Sequence, residues 1–319
     1  MKKKNIVCLG GGNAMPKAVL VGLKNRKVNL SVICAMLDSG GSAGRLRKDY
    51  KIVSSGDIRR AFIALSNTSP IVENLFNYRF QSGELKGHNF ANLFITALEL
   101  TSGNYGSAFQ EFGRLLNVSH EVLPVTLDNS NLCAQLENGK IIFGETNIDN
   151  PKHNGNIKIK KVFLKPRAVI YPKSAEAIKK ADLIIIGPGD LYSSLAQILL
   201  VEGVAKSIRK SKAKKVYIAN LMTKHGETDN FSVLDLVSKI EEFIGEKPDY
   251  VIYNTKIPNA KRLAVYKKAH SELLNLIKIG SEKLDPKKFI GEDVMISCGA
   301  IAHDPEKIAK LIMKILNKK

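Results

Sequence analysis

Tryptophan is absent from this chain of 319 residues, and cysteine occurs only four times. Cys8, Cys34, Cys133 and Cys298 show no C-x-x-C spacing, so the usual zinc and dithiol signatures are excluded. Cys8 and Cys34 lie inside apolar runs, and buried, reduced thiols are expected. G-x-x-x-x-G-K-[ST] and H-E-x-x-H are also missing, which argues against a P-loop NTPase and a zincin. No Ser-His-Asp constellation can be assembled. Long apolar runs are lacking, so no membrane insertion is expected. The apolar part of MKKKNIVCL ends too soon for a signal peptide, and it reads as a first strand behind solvated lysines in a cytoplasmic protein. Acidic residues are outnumbered, 30 against 49 Lys and Arg, for a net charge of +19. Without an arginine-rich block interleaved with aromatics, that excess reads as a solvated basic surface; nucleic acid is not the expected partner, and an anionic small molecule is favoured.

What the chain does have is a series of short apolar runs that stop abruptly in glycine-rich or acidic turns. NIVCLGGGNAM, VICAMLDSGGSAGRLR, ADLIIIGPGDLYSS and VYIANLMTKHGETDN are its members. In a parallel α/β sheet such stops share one edge, where backbone N–H groups and helix N-termini receive ligands. The chain therefore reads as a binder of a nucleotide or phosphate ester.

Residues 5–10 and 30–37 read as parallel strands, with a helix from about Pro16 to Leu23 between them. From Asp57 the apolar spacing turns helical, interrupted at Pro70, Gly83 and Gly103, which predicts a helical subdomain over 57–117. A β-rich insertion is predicted over 121–165, with a hairpin at ENGK. A helix at 174–181 leads into the buried strand LIIIG, and the α/β alternation then runs through VYIANL and DYVIYN to a last helix capped by Asp304 with Pro305 in its first turn. No linker or internal repeat is visible, so 1–319 is read as one domain. Phe76, Phe80 and Phe109 fit either a core or an interface.

The candidate site residues follow from the turns. Gly10, Gly11, Gly12 and Asn13 resemble a dinucleotide fingerprint only in part, because a third glycine is missing. In DSGGSAGRLR, Gly40 and Gly41 let the backbone approach an anion, Asp38 can hold a metal or a hydroxyl, and Arg45 and Arg47 can meet phosphate oxygens. SSGDIRR repeats the chemistry with Gly56, Asp57, Arg59 and Arg60. Two loops pairing Asp with Arg suit a metal-bridged phosphate, with Asp38 and Asp57 holding Mg2+; for Asp57 taken alone, a helix cap is the better reading. Gly187 and Gly189 open a helix near Asp190 whose N–H groups could take a phosphate or ribose. Asn220, Thr223, Glu227 and Asp229 could read a base, a sugar or a metal-bound water. His88, Asn89 and Asn92 are either ligands or a helix entry.

In order, GGGNAMPK, LDSGGSAGRLR, SSGDIRR, GHNFANL, TLDNSNLCAQLENGKIIFGE, IIIGPGDLYSSL and NLMTKHGETDNFS resemble the YvcK-type gluconeogenesis-factor family, a branch of the superfamily named for the 2-phospho-lactate transferase CofD. The resemblance spans residues 5–316. It implies an α/β, Rossmann-like, mainly parallel sheet with a helical subdomain and a cleft between them. In the transferase branch a divalent metal and acidic loop residues position a nucleotide-activated phospholactate against a deazaflavin alcohol, and Asp38 and Asp57 match those loop positions. The YvcK-type branch implies instead a regulator that binds UDP-sugars, notably UDP-N-acetylglucosamine, and supports cell-wall homeostasis, cell shape and gluconeogenic growth. DSGGSAGRLR is closer to this second branch. Three departures stand out: Asn13-Ala14 where the branch has Thr-Gly, Ser54-Ser55 where it has Pro-Pro, which should loosen that loop, and Ala302 where a basic residue is usual. The sequence leaves open whether the chain self-associates and which protein would read its bound state.

Overall fold

A computed structural model describes residues 3–280 and 284–318, so Met1 and Lys2 of the lysine-rich start lie outside the described residues. The strands are β1 (Lys4–Leu9), β2 (Val28–Cys34), β3 (Glu121–Pro124), β4 (Asn131–Leu136), β5 (Ile141–Phe143), β6 (Ile159–Lys165), β7 (Leu183–Ile186), β8 (Lys214–Ile218), β9 (Met222–Lys224), β10 (Tyr250–Asn254), β11 (Leu273–Leu276) and β12 (Phe289–Glu292). Seven form one sheet in the order β12-β10-β8-β7-β1-β2-β3. Every pairing in it is parallel. Starting from the β3 edge, the chain order is the Rossmann order of doubly wound sheets with one further strand added. Helices cover both faces of such a sheet, and its central strands accordingly lack polar alternation: Ile6–Leu9 and Leu183–Ile186 are buried throughout.

Between β2 and β3 lie the helices Gly41–Tyr50, Gly56–Leu65, Pro70–Asn77, Phe90–Ser102 and Tyr105–Leu115. Their apolar faces meet in an aromatic cluster in which Phe62, Phe76, Phe94 and Phe112 pack edge to face or tilted. Phe76 and Phe109 are thus core residues, whereas Phe80 is half-buried against Tyr78.

The β-rich insertion starts later than the sequence predicts. β3 belongs to the central sheet, paired with β2, and the insertion is the antiparallel set β5-β4-β6 with the short helix Glu145–Asp149. EVLPVTL reads as extended in either setting, and only its partner strand decides where it belongs. The ENGK hairpin joins β4 and β5, with Gly139 at φ +86°. Asp304 caps the last helix, Pro305–Asn317, by accepting the N–H groups of Glu306 and Lys307. Cys8, Cys34 and Cys133 are buried as expected, but Cys298, in an irregular segment after β12, is exposed.

Candidate functional site

β1 and β7 are neighbours, so the sheet reverses direction between them, and the turns that follow them lie side by side at the carboxyl edge. Each leads into a helix that begins with a wide π-type turn, Pro16–Leu20 after β1 and Leu191–Leu195 after β7. Single π turns recur at functional sites. A cleft of about 1060 Å3 opens there. Of the residues the sequence singles out, Gly11, Gly12, Asn13, Asp38, Gly40, Gly41, Asp57, Gly189, Asp190 and Asn220 line it. The starts of three helices, after Asn13, at Gly41 and at Gly56, meet at this cleft and bring their positive dipole ends with them.

The first turn is open. Asp57 Oδ1 accepts the Gly12 N–H at 2.9 Å, while among the described residues the Gly11 and Asn13 N–H groups donate to nothing within the chain. A Cβ on Gly11 would stand 1.8 Å from Asp57 Oδ2, so only glycine lets the turn lie against that carboxylate. Gly56 is constrained in the same way by Asp38, with 2.6 Å from its would-be Cβ to Oδ2.

After β7 the N–H groups of Tyr192 to Leu195 are already taken, which leaves less of this helix start for the expected phosphate or ribose. Glu227 Oε2 accepts the N–H groups of Tyr192 and Ser193 at 2.9 and 3.0 Å. The Ser194 and Leu195 N–H groups go to the Asp190 carbonyl. Asn220 Oδ1 takes the Gly189 N–H at 3.0 Å. A buried side-chain carboxylate thus already sits where an anion would dock, and Glu227 is a helix cap delivered from a distant loop. Thr223 bonds the Asn275 backbone, and Asp229 bonds the Gly226 N–H and His225. Neither lines the cleft.

Charge in the cleft is paired through two cations. Arg60 bridges Asp57 and Asp38, the latter at 3.4 Å. Lys224 lies among Asp149, Asp190 at 2.8 Å and Glu227 at 3.3 Å, three carboxylates whose oxygens fall within 4.8 Å of one another. Burial alone would lower the Lys224 pKa, but these neighbours raise it above the ordinary lysine value, so it stays an ammonium. The acids are crowded. Burial, then the Asp57 charge, pushes Asp38 up to about 7, and burial, then Asp38 and Asp149, pushes Glu145 up to about 8. His303 Nε2 donates to the Ala219 carbonyl at 3.1 Å, and burial lowers its pKa to about 4, leaving a neutral ring whose Nδ1 can accept. Ala302 lines the cleft beside it.

Lys224, Glu145 and Asp149 are site residues that the sequence reading did not single out, and of the paired Arg59 and Arg60 it is Arg60 that reaches the cleft. For Arg60 a signal was present: Asp57 and Arg60 are three apart on one helix face, whereas Arg59 points about 100° away. Arg47 is a strut rather than a phosphate ligand, since its guanidinium is bonded to the Leu37 and Ser130 carbonyls and to Asn129 at 2.6 Å. Asn89 caps the helix Phe90–Ser102 through the Asn92 N–H. Asn89, Asn92, His88, Arg45 and Arg59 do not line the cleft. Gly10, Gly56 and Gly187 lie behind its wall and shape the turns. Ser54 and Ser55 are buried, with the Ser54 N–H on the Met36 carbonyl, so that loop is held rather than loosened.

No helix among the described residues is long and apolar enough to cross a membrane. Residues 6–288 match the family profile of the 2-phospho-L-lactate transferase CofD. A gluconeogenesis factor from Listeria innocua is 38% identical, covering 99% of this chain and 97% of its own length. One from Bacillus subtilis is 36% identical, covering 99% of both. A crystal structure of a UPF0052-family protein from Bacillus halodurans superposes with a TM-score of 0.89 at 34% identity, covering 98% of this chain and 99% of that one. With the switch-point cleft and the ordered turns, these likenesses make the chain a member of the CofD-like family, in its gluconeogenesis-factor branch.

Proposed function

We propose that the cleft binds a nucleotide-sugar, UDP-N-acetylglucosamine in the first instance, and that the protein is a cytoplasmic regulator of cell-wall homeostasis, cell shape and gluconeogenic growth. The observation that carries this reading is the open first turn at the sheet's switch point, where the Gly11 and Asn13 N–H groups have no partner in the chain and three helix starts meet. A pyrophosphate on this turn leaves one end of the ligand toward Asn220 and the other toward the carboxylates of the insertion. Sugar hydroxyls donate well to carboxylates such as Asp149 and Glu145. Among the described residues Asn220 is bonded only through its oxygen, so its amide N–H2 is available to the nucleoside. Closing of the helical block over the cleft would report occupancy to a partner protein.

A second reading, a metal-dependent transferase of the phospholactate type, is favoured by one observation, the crowding that raises Asp38 and Glu145. Hard carboxylate oxygens are the donors that Mg2+ prefers, and Asp38 and Asp57, which Arg60 bridges here, would hold it. When bound, it would offset charge on a phosphate. Titration calorimetry with UDP-N-acetylglucosamine, GDP and NAD, each with and without Mg2+, separates the two. Micromolar binding of the UDP-sugar alone, indifferent to metal, is the expected result. Tight GDP binding that requires Mg2+ would replace the regulator with the transferase.

A further inference from the structure

The arginines that the cleft leaves unused gather in the helical block. Arg59 is 8% exposed. Among the described residues its Nε has no partner, and its only bond is a 3.4 Å contact from Nη1 to the neutral Asn77 side chain. Arg79 donates to the Gly87 carbonyl at 2.6 Å, and Arg45 to the Lys86 carbonyl at 3.0 Å. The 79–89 segment is folded back by the Arg79–Asn89 bridge, and Ser42 ties it down by meeting His88 Nδ1 and the Asn89 N–H. Together these contacts place Arg45, Arg79 and His88 around one short loop, next to the first turn of the helix Gly56–Leu65.

Their electrostatic neighbourhood agrees. Burial first, then the charges of Arg60 and Arg79, lowers the Arg59 pKa to about 10. Burial, then Arg45, lowers the His88 pKa. The acids that face this group are Asp57, Asp38 and Asp49, and among the described residues none of them forms an ion pair with Arg45, Arg59 or Arg79. A buried guanidinium ordinarily has a charged or bidentate partner, because leaving it unpaired is costly. Asn92 Oδ1, buried at the start of the adjoining helix, is likewise without a partner.

We propose that the helical block carries a second anion site, built from Arg59, Arg79, Arg45 and His88, that takes the phosphate group of a small phosphorylated metabolite. Several forked donors with no carboxylate paired to them among the described residues suit a tetrahedral oxyanion. The site is separate from the nucleotide cleft, and it stands whether or not a nucleotide-sugar binds there. A ligand on it would tie the 79–89 loop to the helix Gly56–Leu65, whose first turn supplies Asp57 and Arg60 to the cleft, so occupancy of the two sites would be coupled.

The test is titration of the full chain with inorganic phosphate at constant ionic strength. Saturable binding is expected, weakened at least tenfold by Arg79→Gln, whose exposed side chain leaves the fold unthreatened, and by Arg59→Met. Lys17→Gln, on the cleft wall, is expected to leave it unchanged. The inference is overturned if the wild type shows no saturable phosphate binding, if Arg79→Gln and Arg59→Met both bind like wild type, or if Lys17→Gln abolishes the binding. Failure of UDP-N-acetylglucosamine to bind would count against the cleft reading alone.

Discussion

The cleft and the helical block solve the same electrostatic problem in opposite ways. At the switch point the buried cations have acidic partners: Arg60 lies between two carboxylates and Lys224 among three. A few residues away, Arg45, Arg59 and Arg79 are bonded, among the described residues, only to carbonyl and amide oxygens. Paired charges hold a shape, because each partner would be stranded without the other. Unpaired ones are expensive in the free protein and are retained where something else completes them. The contrast teaches that the cleft is preassembled around its own salt bridges, while the block is completed from outside.

The strongest way to break the comparison is Lys224→Met. It strands Asp149, Asp190 and Glu227 around an empty centre and is expected to cost about 3–5 kcal/mol in urea unfolding. Ca2+ should restore part of that loss, since three carboxylate oxygens within 4.8 Å can then take a divalent cation. An equal loss with and without Ca2+ would mean that Lys224 fills space rather than balances charge.

Next comes pH. The folded pKa of Asp38 is raised from 3.8 to about 7, so between those values the native state holds a proton that the unfolded chain releases. Stability contributed this way is present at low pH and falls as pH rises from about 4 to 7. Thermal unfolding across this range should show the decline in the wild type and a shallower one in Asp38→Asn. Identical slopes would remove Asp38 from the account.

Asn89→Ala should cost about 1 kcal/mol, the usual loss of a helix cap, without changing nucleotide affinity. A large affinity loss would move Asn89 from scaffold to ligand. The smallest effect is expected of Arg59→Met, within about 1 kcal/mol of wild type or above it, because a desolvated and unpaired guanidinium is removed. A loss beyond about 3 kcal/mol would show that Arg59 is already satisfied, and the contrast between the two regions would fail.

The apolar runs and the turns that end them were legible because they are local: the parallel strands, the ENGK hairpin and the Asp304 cap all follow from neighbouring residues. The central Asp and Gly positions of the cleft were legible for the same reason, since a glycine after a buried strand marks the carboxyl edge. What was not legible depends on contacts distant in sequence. Glu145 and Asp149 reach the cleft only because the insertion folds back on the core, and Glu227 is a cap only because its loop meets a helix 34 residues away. Arg59 and Arg60 differ only by helical phase, and the choice between them needed the i, i+3 partner at Asp57. β3 was read into the insertion because its sequence records extension but not its neighbour.

The most direct test of the central claim, that the first turn is the open anion seat and the N–H groups of Tyr192 to Leu195 after β7 are already taken, is backbone hydrogen exchange with and without UDP-N-acetylglucosamine. Slowed exchange at Gly11–Ala14, with Tyr192–Leu195 unchanged because Glu227 and Asp190 already hold their N–H groups, is the predicted result. Protection confined to Tyr192–Leu195, or none at Gly11–Ala14 under saturating ligand, would contradict it.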